Sequence, residues 1–315
     1  MVIKMNLIKS KKIKIIILSF LLLFVLSGCQ DIFTLPPGPY FPQPPNIADI
    51  YEVLPDIKSC SEGILKDLEK QKALEELNFI RSLHGLKPVS YNYQDDIYTA
   101  KAALIIVANE KMNHHPDPSY KCWSEEGYTG SSTSNLYMYW GWEKHIPKTE
   151  EFVIGWIRDD GVESLGHRRW LLSPFLKNIS YGRVDVPGFT GAAIKVINDD
   201  INTANVDYVA YPFEEYPRNL FSKNWYLSFS VVANRNDPWA NKSVNFRNTA
   251  IEISDESGNL LSVSSIYYNN EGYGNPNHLQ WKVTGFKNGV KYTVSIKNVK
   301  VLGKDKSYEY WFKLI

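Results

Sequence analysis

Hydroxyl and imidazole side chains gather at two places in this chain. Ser131, Ser132, Thr133 and Ser134 form one run, and His167 falls in a later helical stretch. Together they invite a serine-hydrolase reading. A nucleophile elbow needs Gly-x-Ser-x-Gly between a strand and a helix, and Gly161-Val162-Glu163-Ser164-Leu165-Gly166 has the wrong spacing. A triad is defined by geometry rather than order, so the sequence leaves one open. Cysteine is no better as a nucleophile, because neither Cys60 nor Cys122 follows a recognisable positive helix end. Among the histidines, His114 lies seven residues past Val107, on the apolar side of its helix, which would suit a core histidine. His167 would sit at a helix N-terminus, bonding a nearby carbonyl. His115 is an alternative to His114, while His84 and His145 have no partner at useful spacing.

The N-terminus has the parts of a secretory signal. Five lysines, Lys4 to Lys14, precede an apolar run from Ile15 to Val25 that is too short to span a hydrocarbon core of about 30 Å. Leu26-Ser27-Gly28-Cys29 then looks like the lipobox of a bacterial lipoprotein, with Cys29 as the acylated residue. Residues 1–28 are therefore expected to be a signal peptide, and residues 29–56 a tether. Leu35-Pro36-Pro37-Gly38-Pro39-Tyr40-Phe41-Pro42-Gln43-Pro44-Pro45 supplies its semi-rigid polyproline part. The expected location is the cell envelope, at the outer membrane or cell surface, with the lipid on Cys29 as the contact to the membrane. In an exported protein the remaining pair, Cys60 and Cys122, suits a disulfide, with two buried free thiols as the other reading.

Composition argues against a nucleic-acid partner. Of 35 basic residues, five lie in the signal, leaving 30 against 34 acidic ones. No Walker loop, Gly-x-Gly-x-x-Gly or internal repeat is visible.

The elements that must position the chemistry fall into two groups. Over residues 57–213, a first helix is expected over Ser61–Leu83, where apolar residues from Ile64 onward recur at helical steps, with a stop at His84-Gly85. A second stripe runs from Asp95 to Met112, a third helix spans Glu151–Ile157, and a fourth, Leu165–Leu172, stops at Pro174. Ile179–Val186, Ala192–Ile197 and Val206–Tyr211 alternate and predict strands. Helices followed by antiparallel strands indicate an α+β domain. Over residues 218–315, short alternating segments such as Thr249–Ser254, Leu279–Val283 and Tyr292–Ile296 are separated by turn signals, which predicts an all-β sandwich.

Several segments of the first group resemble the CAP (SCP-like) superfamily. Asn78-Phe79-Ile80-Arg81 with Leu83-His84-Gly85-Leu86 is similar to its first-helix signature, and Asn113-His114 before prolines to its first histidine motif. Ser134-Asn135-Leu136 falls at its Gly-Glu-Asn-Ile stretch. Trp156, then Gly166-His167-Arg168-Arg169-Trp170-Leu171-Leu172-Ser173-Pro174, resembles the second histidine motif, which Tyr181-Gly182-Arg183-Val184 continues. The resemblance covers about half the chain. It implies an αβα sandwich with a cleft in which two histidines and two acids hold a divalent metal in some members.

Carried over by position, His114 and His167 match, Ser134 replaces the first acid, and Asp159 or Glu163 would be the second. Two imidazoles, a carboxylate and a hydroxyl would take zinc or another divalent cation with water completing the shell, though weakly without the missing charge. Arg168 and Arg169 are expected to pair with carboxylates such as Glu75, Glu76 or Asp159. Trp140, Trp142, Trp156, Tyr137 and Tyr139 would form core, or line a ligand groove. Two functions follow. The favoured one is a non-catalytic module binding a lipid, glycan or protein; the alternative is a metal-assisted hydrolase of peptide or envelope polymer. The loss of a candidate base at Ser134 favours binding.

Overall fold

The structure, a computed structural model, describes residues 46–141 and 146–315. The signal peptide, Cys29, the prolines up to Pro45, Trp142 and His145 lie outside those residues. Among the described residues no helix is long and apolar enough to cross a membrane.

Residues 46–56, assigned above to the tether, are folded. Helix α1 (Ile47–Ile50) leads into strand β1 (Tyr51–Val53), which pairs antiparallel with β2 (Ile64–Leu65). Ile50 and Tyr51 are buried, and the Tyr51 hydroxyl donates to Asp185 Oδ2 at 2.7 Å. That same carboxylate receives Arg183 through two nitrogens, at 2.6 and 2.9 Å. Past β1, Cys60 forms a disulfide with Cys122. Chain-entropy arguments for a crosslink spanning 62 residues give about 4 kcal/mol. Replacing both cysteines by serine is therefore expected to cost about 2–4 kcal/mol in a urea titration, whereas an unchanged midpoint would mean the crosslink restrains nothing.

Helix α2 (Asp67–Leu83) buries Ala73, Leu77 and Ile80, and stops as expected at His84, with Gly85 in the left-handed region at φ +65°. It starts six residues later than the apolar spacing predicts: Ile64 is in β2, and Leu68 is exposed. After β3 (Ser90–Tyr91) comes α3 (Asp96–Asn109), whose residues Ala102–Ala108 are all buried. It ends at Asn109, short of the predicted Met112, with Glu110 left-handed at its cap. Helix α4 (Glu125–Thr133) is capped by the Ser124 hydroxyl, which accepts the Gly127 N–H at 3.1 Å. Strand β4 (Ser134–Trp140), absent from the sequence reading, follows directly. Helices α5 (Thr149–Arg158) and α6 (Gly166–Leu171) precede β5 (Asn178–Val186) and β6 (Phe189–Lys195).

These strands form one sheet of order β3-β5-β6-β4, antiparallel except for β3 beside β5, with β4 at the edge. The period of two places Ala192 and Ile194 with the core under α2 and α5, and Ala193 with the core under α3. Helices thus cover both faces. Helix α3 lies directly on β5 because Gly182 has no side chain: a Cβ there would meet the Thr99 carbonyl carbon at 2.2 Å.

The remaining strands are β7 (Tyr208–Tyr211), β8 (Glu214–Tyr216), β9 (Leu227–Val231), β10 (Ala250–Asp255), β11 (Val263–Asn269), β12 (His278–Val283), β13 (Lys291–Val301) and β14 (Lys304–Leu314). They make two four-stranded sheets, β10-β13-β14-β8 and β11-β12-β9-β7. The chain is therefore an α+β domain followed by a β-rich module. One correction concerns their join. Tyr208–Tyr211 is a strand as predicted, but its last three residues are all buried and it pairs with β9 in the module rather than joining the first sheet, and β8 pairs parallel with β14. Alternation reports burial of one face and says nothing about which sheet is joined. A single apolar cluster runs from Leu77 and Trp156 to Phe229, Trp281 and Phe312, and the described residues form one compact unit.

Candidate functional site

Helix α5 ends at Asp159, whose φ of +53° turns the chain into the loop before α6. This turn aims the Asp159 carboxylate at the start of α6. Its Oδ1 accepts from His167 Nδ1 at 2.7 Å, and its Oδ2 from the Arg168 N–H at 3.1 Å. The Asp159 side chain is fully buried, while that of His167 is 21% exposed. With Nδ1 committed to the carboxylate, His167 has Nε2 as its remaining nitrogen.

His114 lies on the loop after α3, exposed, and is not the core histidine that its spacing from Val107 suits. The helix stops at Asn109, so the helical spacing does not reach it. Its Nδ1 faces the Ser131 carbonyl at 2.8 Å, and a carbonyl only accepts, so Nδ1 carries the proton. Both imidazoles are thus held through Nδ1, and neither Nε2 has a partner among the described residues.

His114 and His167 line one cleft of about 670 Å³, with His115, Ser134 and Trp170. Ser134 is buried and its hydroxyl has no hydrogen-bond partner among the described residues. A second cavity adjoins it, sharing Met112, Leu136, Val162 and His167 and including Asp159, Asp160 and Glu151. Glu163 is not brought to the histidines. Val162 and Ser164 line the cleft, while Glu163 between them is exposed and opens on a separate groove with Tyr226 and Tyr267. Among the described residues no group of three His, Cys, Asp or Glu side chains is placed to hold a metal. The cleft lining carries the imidazoles of His114, His115 and His167 and the Ser134 hydroxyl, with no carboxylate among the described residues.

The arginines bond carbonyls, not the carboxylates expected above. Arg168 is buried, donating to the carbonyls of Ile157 at 2.7 Å, Arg158 at 2.6 Å and Tyr226 at 2.9 Å, with its guanidinium 3.7 Å from the Tyr211 ring centre. Ile157 and Arg158 end α5, so the cation sits at the negative end of that helix. Arg169 donates to Asn269 Oδ1 at 3.0 Å and the Glu271 carbonyl at 2.9 Å, and burial lowers its pKa to about 10. Helix α6 is therefore bolted to the β-rich module by the two residues that follow His167.

The aromatic residues divide. Trp156 is core, its indole donating to the Leu136 carbonyl at 2.9 Å, and Tyr137 packs on Trp156 and Phe152. Trp140 is exposed, against Phe189. Trp170 and Tyr273 do line the cleft, though sequence reasoning did not select them; Tyr273 reaches it from a turn in the other module, and no local pattern marks that. His84 is structural: it is buried between the Ala210 carbonyl at 2.8 Å and the Tyr216 hydroxyl at 3.2 Å, and burial lowers its pKa to about 3.

No protein-family model matches this chain, and no curated protein matches it significantly. Among solved structures it is similar to the CAP domain of Enterococcal PrgA, at 16% identity and a TM-score of 0.30, over 50% of this chain and 73% of that one.

Proposed function

We propose that this chain is an exported lipoprotein, held at the envelope by acyl chains on Cys29, whose CAP-like domain uses the two-histidine cleft for recognition. One observation carries the choice of recognition over hydrolysis: among the described residues, the cleft shared by His114 and His167 has no acid in its lining. Asp159 is buried behind His167 with both oxygens engaged, so it orients the imidazole and is not available as a base. The ligand classes consistent with the cleft are a lipid, a glycan or a protein segment.

The metal-assisted reading keeps one supporting feature, the two imidazoles held through Nδ1 with Nε2 unpartnered. That is how metal-ligating histidines are commonly oriented. Among the described residues no third His, Cys, Asp or Glu is placed with them to hold a metal, and no reaction step is assigned to the cleft.

Calorimetric titration of the full-length protein with zinc and with calcium separates the readings, with His114→Ala alongside. The expected result is no binding at micromolar metal. Micromolar binding that disappears in His114→Ala would overturn the recognition reading in favour of metal-dependent chemistry.

A further inference from the structure

The histidine cleft has a definite chemistry once its hydrogens are placed. A neutral imidazole with its proton on Nδ1 presents a lone pair at Nε2. The Ser131 carbonyl fixes His114 in that form and the Asp159 carboxylate fixes His167, so both Nε2 atoms are held as acceptors. Ser134 lines the same cleft, 5% exposed, with its hydroxyl unpartnered among the described residues. The amides beside these groups are engaged. Asn113 Nδ2 donates to the Tyr120 hydroxyl at 2.9 Å, and Asn135 Nδ2 to the His167 carbonyl at 3.1 Å. Among the described residues no Asp, Glu, Lys or Arg lines the cleft.

The cleft also has aromatic walls, Trp170 from α6 and Tyr273 from the turn between β11 and β12. That turn is pressed onto α6. Gly274, at φ +63°, lies so close that a Cβ would meet the Arg169 carbonyl oxygen at 2.2 Å. Arg169 holds the same turn through Asn269 Oδ1 and the carbonyls of Glu271 and Asn275, and its guanidinium is 5.2 Å from the Tyr273 ring centre. Tyr273 is thereby fixed beside the cleft while remaining 40% exposed.

These groups discriminate among ligands. A charged ligand meets no opposite fixed charge, and an anion would face two lone pairs. An acyl chain would bury both Nε2 atoms and the Ser134 hydroxyl unpaired, at about 1–3 kcal/mol each. A polypeptide brings a carbonyl with every N–H, and those carbonyls need donors that the lining has engaged elsewhere. Sugar hydroxyls donate and accept at once, and the C–H face of the ring offers an apolar surface to an aromatic wall.

We propose that the cleft binds an uncharged glycan, whose hydroxyls donate to Nε2 of His114 and His167 and whose ring face lies against Trp170 and Tyr273. The β-rich module then supplies one wall of a site whose acceptors belong to the CAP-like domain. The proposal rests on the recognition reading above and names its ligand class.

Calorimetry on the full-length protein in a sugar-free zwitterionic detergent tests it. The probes are hexasaccharides of N-acetylglucosamine, glucose and mannose, with hexagalacturonate and hexaglucosamine as the anionic and cationic counterparts. At least one neutral hexasaccharide is expected to bind, at least tenfold more tightly than either charged one. His114→Ala and Tyr273→Ala should each weaken it at least tenfold without lowering the melting temperature, because both side chains are exposed. Tyr273→Phe should retain binding, since it keeps the ring face. If a variant misfolds, the comparison of neutral with charged sugars on the native chain still decides. No binding by any neutral hexasaccharide, equal binding by a charged one, or binding unchanged in a folded His114→Ala would overturn the proposal. Binding only of dodecanoate, or only of a pool of random seven-residue peptides, would overturn it in favour of an acyl chain or a polypeptide. Absent sugar binding with absent metal binding defeats the glycan alone, whereas micromolar metal binding defeats the recognition reading beneath it.

Discussion

Arg168→Ala is expected to lower the unfolding free energy by about 3–5 kcal/mol, measured as a shift in urea midpoint. The guanidinium is 1% exposed and holds three backbone carbonyls from two parts of the fold, Ile157 and Arg158 at the end of α5 and Tyr226 beside β9. Alanine leaves all three without a donor, and each such buried group costs about 1–3 kcal/mol. It also empties the space beneath the Tyr211 ring. Arg168→Lys should recover only part of the loss, since an ammonium cannot reach carbonyls in three directions from a planar fork. A loss below about 1 kcal/mol for Arg168→Ala would mean that apolar packing alone joins the module to the domain.

The second large effect is with pH. Burial holds His84 neutral with a folded pKa of about 3, and burial also pushes His278 well below the usual range, helped by Arg169 and Arg168. An unfolded histidine titrates near 6.5. Between these values the unfolded chain binds protons that the folded chain refuses, so the contribution of His84 is complete above about pH 6.5 and lost progressively toward pH 3. At pH 4 the loss from His84 alone is about 3 kcal/mol, and His278 adds to it with the same sign. Urea midpoints at pH 7.5, 5.5 and 4 measure the effect, and His84→Gln should flatten the slope. Constant stability from pH 7 to 4 would show that neither ring is kept from protons.

What the sequence reveals depends on how local each cause is. Ile179–Val186 is legible as a strand from its β-branched and aromatic residues, although β5 is buried on both faces and carries no inside–outside alternation. The stop at His84-Gly85 is legible because it depends on one residue's backbone freedom. Strand β4 is not. Ser134 and Asn135 at its start are buried polar residues, and their burial comes from β6 and α6, far away in sequence. His167 is placed by a motif whose neighbours Arg168 and Arg169 carry a structural load. Reading those two from the motif alone gives carboxylate partners, because a carbonyl acceptor leaves no trace in side-chain chemistry. By spacing from Trp156, Asp159 is the better acid and Glu163 the other, and the turn at Asp159 sends the first behind His167 and leaves the second facing outward.

The stretch between the two parts of the fold has a genetic consequence. Strands β7 and β8 are contributed one to each sheet of the module, although they stand at the end of the first half. A reading frame cut at residue 213 would leave the upstream fragment with a β7 that has lost its partner, and the downstream fragment with one sheet stripped of its margin. Both products would display bare strand edges, which invite aggregation. Exchange of either half with another gene would have to carry residues 208–216 along with the downstream piece.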